Sequence, residues 1–219
     1  MNPKVSLILG IICISFSPIF VKLVDASPIV SAFYRMLMAW LALAPYCVLK
    51  RDLKIKRKDM LLALLGGIIF ASDIAVWNMS LVITSATIST LIANLAPVWV
   101  GLMSYIFFKR KAGWLFWTGT FIAIAGMVVL VGFNNLVHMQ VNLGLILALA
   151  ASVLYSFYIL ITKGILQRID TITFMFYSML ASCLFLFIIC SFQHANLFYY
   201  SPKNWFYFIG MGIICQLTG

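Results

Sequence analysis

The sequence predicts an all-α polytopic membrane protein built as an inverted repeat of five-helix units. Three observations lead there. Of 219 residues, 64% are hydrophobic and only 9% are charged, whereas a soluble domain carries about 25% charged residues. Apolar runs of about 18 residues or more, enough to cross a ~30 Å hydrocarbon core, recur along nearly the whole chain. Segments of the first half also return, in order, in the second. No soluble domain of any size fits this pattern.

The spans follow from the apolar runs. The first covers Val5 to Val24, the second Pro28 to Leu49, the third Met60 to Leu81, and the fourth Ser85 to Phe108. The fifth runs from Trp114 to Phe133, the sixth from Asn142 to Thr162, and the seventh from Ile172 to Phe192. An eighth begins near Trp205 and is still running at Gly219. The run from Val5 is long for a signal-peptide core, and Lys22 and Asp25 follow it directly, so the first span is expected to stay uncleaved. The connections are short, and a lipid-exposed sheet would leave its edge groups unsatisfied, so the spans form a helical bundle.

The formal net charge is +10, and all five acidic residues are Asp. The basic residues sit in short loops on one side: Lys4, then Lys50 to Lys58, then Lys109 to Lys111, then Lys163 and Arg168. The opposite loops hold Lys203, with Lys22 at the outer end of the first span. The positive-inside rule explains this bias without nucleic acid and places the N-terminus in the cytoplasm. The expected location is the cell inner (plasma) membrane, multi-pass. The five cysteines all lie within apolar spans and read as small hydrophobes. His138 and His194 lie in outer loops without metal-ligand spacing, so no metal or cofactor is expected.

AFYRMLMAWLAL (32–43) resembles MFYSMLASCLFL (175–186) at an offset of 143 residues. LILG (7–10) resembles LILA (145–148). Lys58, Gly67, Ile68 and Ile69 match Lys203, Gly212, Ile213 and Ile214. A unit of five spans is odd in number, so a second copy enters the membrane inverted. The expected units are residues 1–135 and 140–219, the second holding spans six, seven and part of eight. Ten spans are expected in a complete molecule, with about seven and a half present, and Asp73 aligns with Thr218.

Several stretches together resemble one family. They are SPIFVKL followed by AFYRML, ATISTLIANLAPVWVGLMSYIFFKRK, and WTGTFIAIAGMVVLV. They look like the EamA-type branch of the drug/metabolite transporter superfamily, with Ala86 through Gly126 the most specific part. The resemblance implies ten spans in two five-span repeats and export of amino acids or other small metabolites. The chain departs from that family at the turn after the fourth span. A Gly-Glu-Arg-like turn is usual there, and Lys109, Arg110 and Lys111 stand in its place.

The polar residues inside the spans are the candidate site. Asp73 lies 13 residues inward from Met60, ~20 Å from the cytoplasmic edge. Arg35 lies seven residues below Pro28, ~10 Å from the outer edge. Their depths coincide to within a helical turn, which predicts an Arg35–Asp73 ion pair, direct or through water. It reads either as a structural clamp or as a substrate or proton site, since a charge at that depth costs ~2.5–3.5 kcal/mol on insertion scales. Trp77, at i+4 from Asp73, reads as the floor of a binding cavity or as an interfacial tryptophan. Asn78 reads as a helix-end polar group, and Lys22 as a side chain snorkelling outward.

Ser85, Ser89, Ala93, Pro97 and Gly101 form a stripe of small residues suited to close helix packing. Asn94 and Pro97 sit at the estimated midplane, where a proline leaves a carbonyl free and such breaks often line a cavity. Ala148, Ser152 and Ser156 make a similar stripe, flanked by Tyr155 and Tyr158 as further cavity candidates. The leading expectation is a secondary transporter working by alternating access, with a small-molecule substrate and the lipid bilayer as partners. A homodimer is left open. The alternatives are an intramembrane enzyme, a structural or signalling membrane protein, and an inactive truncated transporter. The enzyme reading lacks the grouped His, Asp, Glu or Cys residues that acid-base or metal chemistry requires, and no nucleotide-binding motif suggests ATP drive.

Overall fold

The protein is described by a computed structural model covering residues 3–50, 53–109, 112–132 and 142–218. Among these residues every regular element is helical. His138, Arg51, Arg110, Lys111 and the expected boundary between units at 135–140 lie outside the described residues. The helices are α1 (Pro3–Ser15), α2 (Ser17–Leu23), α3 (Pro28–Lys50), α4 (Arg57–Ile83), α5 (Ala86–Ala93) and α6 (Ala96–Phe108). Then follow α7 (Trp114–Val131), α8 (Leu143–Ile165), α9 (Thr171–Phe192) and α10 (Pro202–Gly210), which continues as a π-helical segment, Met211–Leu217. Among the described residues six segments are long and apolar enough to cross a bilayer, and α7 supplies a shorter apolar helix. The chain is a polytopic helical membrane protein.

Side-chain caps set several helix starts. Ser85 Oγ accepts from the Ile88 N–H and Asn142 Oδ1 from the Leu145 N–H. Asp170 and Ser201 do the same for α9 and α10. Each satisfies a backbone donor that has no partner within its helix.

Two spans expected to be continuous are broken. The first divides at Phe16, just before Ser17 and Pro18, and the fourth divides at Asn94 and Leu95, just before Pro97. Each proline lacks the N–H that would bond the carbonyl four residues back, at Ile14 and Ala93. The proline at 97 made the second break foreseeable. Pro18 carries the same signal in the first span.

The packing is crosswise. α4 packs chiefly on α8 and α9, and α3 on α9 and the π segment. α1 and α2 lie against α10 and the π segment, while α5 and α6 lie against α8. α7 touches α5 and exposes most of its surface, with Trp114 81% exposed.

Two glycines permit the closest approaches. A Cβ on Gly67 would lie 2.1 Å from the Ser178 carbonyl oxygen, and one on Gly212 would lie 2.4 Å from Met38 Cβ and 3.1 Å from the Arg35 carbonyl oxygen. Beside the first contact, Ser182 Oγ donates to the Gly67 carbonyl at 2.7 Å. Small residues with hydroxyl bonds between them are how helices associate where lipid removes the hydrophobic driving force.

Side chains also pin the loops at both ends. At one end Tyr34 donates to the Leu197 carbonyl and stacks on Phe208 at 4.4 Å, with Tyr200 and Trp205 edge-on. There the Asp25 N–H donates to Asn204 Oδ1 at 3.1 Å. At the end carrying the basic loops, Tyr177 donates to the Leu53 carbonyl at 3.1 Å, and Arg168 pairs with the buried Asp59 at 3.1 Å.

Two stability outcomes follow. Gly67→Ala puts a methyl into the backbone of α9 and is expected to destabilise by about 1–3 kcal/mol. Gly66→Ala meets only side-chain atoms at 3.6–3.7 Å and is expected to be neutral or mildly stabilising. Thermal unfolding of the two variants in detergent separates them. Lys109 closes α6 in the left-handed conformation, φ 51°, which costs a non-glycine residue about 1–2 kcal/mol. Lys109→Gly is therefore expected to raise the unfolding midpoint in the same assay.

Candidate functional site

A cavity of about 830 Å³ lies between two walls of the bundle, within the ~300–1,000 Å³ range of small-molecule sites. One wall is formed by α1, α2 and the π segment, with Arg35 from α3. The other is formed by α4, α5 and α8, and α9 closes the side between them. Both helix breaks face this space, since Ile14, Ser17 and Pro18 line it on one side and Ala93 and Asn94 on the other. The lining continues to Leu166 and Thr171, at the end that carries the basic loops.

Arg35 is 4% exposed and makes two hydrogen bonds to its own wall. Its Nε donates to Gln216 Oε1 at 2.9 Å and its Nη1 to Ser17 Oγ at 2.7 Å. Ser17 stands at the break of the first span, and Gln216 on the π segment, so the guanidinium ties α2, α3 and the π segment together.

Asp73 lines the opposite wall and is 8% exposed. Among the described residues no direct ion pair joins it to Arg35; of the two expected forms, direct or through water, the direct one is not formed. The two charges share a cavity, on opposite walls, and Arg35 has found neutral partners instead. Asp73 itself makes no hydrogen bond or ion pair with another described residue. Such a carboxylate, held by a packed helix and facing open space, is a strong invitation to a cation, a proton or water.

Aromatic rings surround Asp73. Phe70 and Trp77 flank it on α4 at i−3 and i+4, the same helix face. Phe70 stacks on Tyr158 at 4.4 Å, and Tyr155 lies 6.1 Å from Tyr158 with the rings inclined by 23°. The Trp77 Nε1 and the Thr90 Oγ1 are buried without a hydrogen-bond partner. Both residues line the cavity, but these two polar atoms are themselves buried behind its surface.

Of the residues singled out in the sequence, Arg35, Asp73, Trp77, Asn94, Tyr155 and Tyr158 come together on this cavity. Pro97 does not line it. It sits in the first turn of α6 and is exposed, and its effect on the cavity is to open the helix at Asn94. Ser152 and Ser156 serve packing: Ser152 accepts from the Trp99 Nε1 at 2.9 Å, and Ser156 donates to the Ala96 carbonyl at 3.0 Å. Asn78 is buried and donates to the Pro28 carbonyl at 3.0 Å. Sequence reasoning missed Ser17, Gln216, Phe70 and Thr90. Phe70 was findable from its position one turn before Asp73, whereas Ser17 and Gln216 carry no local signal of their partnership with Arg35.

A double-mutant cycle checks the reassigned partners. Arg35→Met combined with Gln216→Leu should show a coupling of about 0.5–3 kcal/mol in unfolding free energy. The cycle of Arg35→Met with Asp73→Asn should couple more weakly, because no contact joins them. A charge swap between 35 and 73 should rescue neither single variant.

Comparison with known proteins adds the family. The profile described as the EamA-like transporter family matches residues 4–132 and 142–219. An uncharacterized transporter of Bacillus subtilis (strain 168), YdfC, is 29% identical over 130 residues, which cover 59% of this chain and 42% of that protein. The chain thus aligns with less than half the length of that relative. A crystal structure of another protein shares the fold, with a TM-score of 0.70 at 15% identity, covering 97% of this chain and 78% of that one. A profile that fits almost every residue, in two successive stretches, makes the conclusion direct: this chain belongs to the EamA-like transporter family.

Proposed function

We propose that the chain is a secondary transporter that moves a small polar metabolite through the central cavity by alternating access. The favoured substrates carry an ammonium group and an anionic end, amino acids foremost, and the favoured direction is export. The observation that carries this reading is the opposition of Arg35 and Asp73 across one cavity. Asp73 offers an unengaged carboxylate inside an aromatic surround, suited to an ammonium group by charge and by cation–π attraction. Arg35 uses two of its five N–H donors on Ser17 and Gln216, leaving others for an anionic group.

An inverted repeat supports alternating access, because two inverted halves supply two equivalent states. The contacts that pin the loops recur in register with the sequence alignment. Tyr34 corresponds to Tyr177, and their acceptors Leu197 and Leu53 occupy corresponding loops. Asp25 and Asn204 correspond to Arg168 and Asp59. Gly212 meets α3 at Arg35, and Gly67 meets α9 at the corresponding Ser178. In this reading α3 and α9 are the paired second helices of two units, and the basic loops face the cytoplasm.

Counterflow in proteoliposomes tests the proposal, using radiolabelled amino acids with amines and carboxylates as comparison solutes. Asp73→Asn should lower transport at least tenfold, about the effect of losing one charge-assisted contact. Asp73→Glu should retain more activity than Asp73→Asn. A chain that moves no solute under any imposed gradient would sink the transport reading, and transport indifferent to position 73 would remove Asp73 from the site.

A further inference from the structure

We infer that Lys22 is the latch that shuts the cavity at the end opposite the basic loops. Its Nζ donates to the carbonyl of Thr84 at 3.1 Å. That bond crosses from one wall to the other, because Lys22 belongs to α2 and Thr84 ends α4. The inference rests on the alternating-access reading and adds a gating residue to it.

The position of both partners along their helices places the contact over the cavity. Pro18 lines the cavity, and Lys22 stands at i+4, one turn farther out on the same face of α2. On α4, Asp73 and Trp77 line the cavity, and Thr84 follows Trp77 by seven residues, two turns along that face. The ammonium also meets the end of a helix, where backbone carbonyls lack internal partners and the dipole favours a cation. The Thr84 N–H donates to the Ser80 carbonyl, and the Thr84 carbonyl accepts from Lys22.

At the other end the contacts join different elements. There α1 packs on the π segment and α2, and the cavity lining runs out to Leu166 and Thr171. The Tyr177–Leu53 and Arg168–Asp59 contacts at that end join α9 and its preceding loop to α4 and its preceding loop. Neither reaches α1 or α2. A direct contact between the walls is found where α2 meets α4 and α5. Lys22 is exposed, so its bond can break without burying an unpaired charge.

The test measures access to Asn94→Cys, a cavity position, with a membrane-impermeant thiol reagent applied to either face of sealed vesicles. The 219-residue chain without that change supplies the background from native cysteines. Lys22→Met should speed labelling from the face opposite the basic loops by about tenfold, the shift expected from losing one charge-assisted bond in one state. Lys22→Arg, which keeps the cation, should leave it near the parental rate. Lys22→Met labelling no faster than the parent from that face, while still reacting from the basic face, would overturn the latch. A second pair, Lys22→Cys with Thr84→Cys, replaces the bond by a reversible cross-link between the same two positions. Oxidative bridging should stop counterflow and reduction should restore it, and counterflow through the bridged protein would also overturn the latch. Labelling needs no flux, so failure of the transport reading and failure of the latch are separately visible.

Discussion

A guanidinium inside a bilayer has to be satisfied by the protein, and one wall of this bundle is organised around satisfying Arg35. Charged side chains at such depth face the bundle interior and bond to whatever the interior provides. Here the providers are Ser17 and Gln216, from two different elements. Ser17 stands beside the break that Pro18 imposes on the first span. Gln216 reaches Arg35 because Gly212 lets the π segment close on the backbone of α3, where any side chain would collide with Met38. The break, the glycine and the π segment are three features with one physical outcome, a wall packed around a buried cation.

The facing wall is rigid for a different reason. α4 is fastened to α8 and α9 by hydroxyl-to-carbonyl bonds, Ser80 to Gly144 at 2.6 Å and Ser182 to Gly67 at 2.7 Å. That stiffness is what allows Asp73 to remain without a partner. A carboxylate on a mobile helix would swing toward a donor, or the helix would rotate it toward an interface. Held by close packing on two sides, it faces the cavity instead, at an energetic cost that packing elsewhere in the wall offsets. Arg35 settled and Asp73 unsettled are therefore two results of the same constraint, applied to walls of different construction.

The sequence made the broad architecture legible because lipid imposes long apolar runs and clusters charge in loops. Relative depth followed from the fixed rise per residue, and Arg35 and Asp73 line one cavity. Direct contact was not legible. Equal depth says nothing about helix rotation or separation, and Arg35 met neutral oxygens on its own wall. Pro97 shows a related limit: its backbone effect was readable, but the direction of its ring was set by where α6 packs on α8. The partners Ser17 and Gln216 are 199 residues apart in sequence, and only the folded arrangement of α1, α2 and the π segment brings them together.

The packing is between elements distant in sequence: α8 packs on α4, and α1 with α2 on α10 and the π segment. A cavity between walls built this way lies between mixed bodies, with α3 and α9 beside both. Two connections, from α3 to α4 and from α9 to α10, run between these elements. Tyr177 and Tyr34 hold those two connections by their backbone carbonyls. A carbonyl bond depends on no particular loop side chain, so the loops are free to differ in charge while the anchoring geometry is kept.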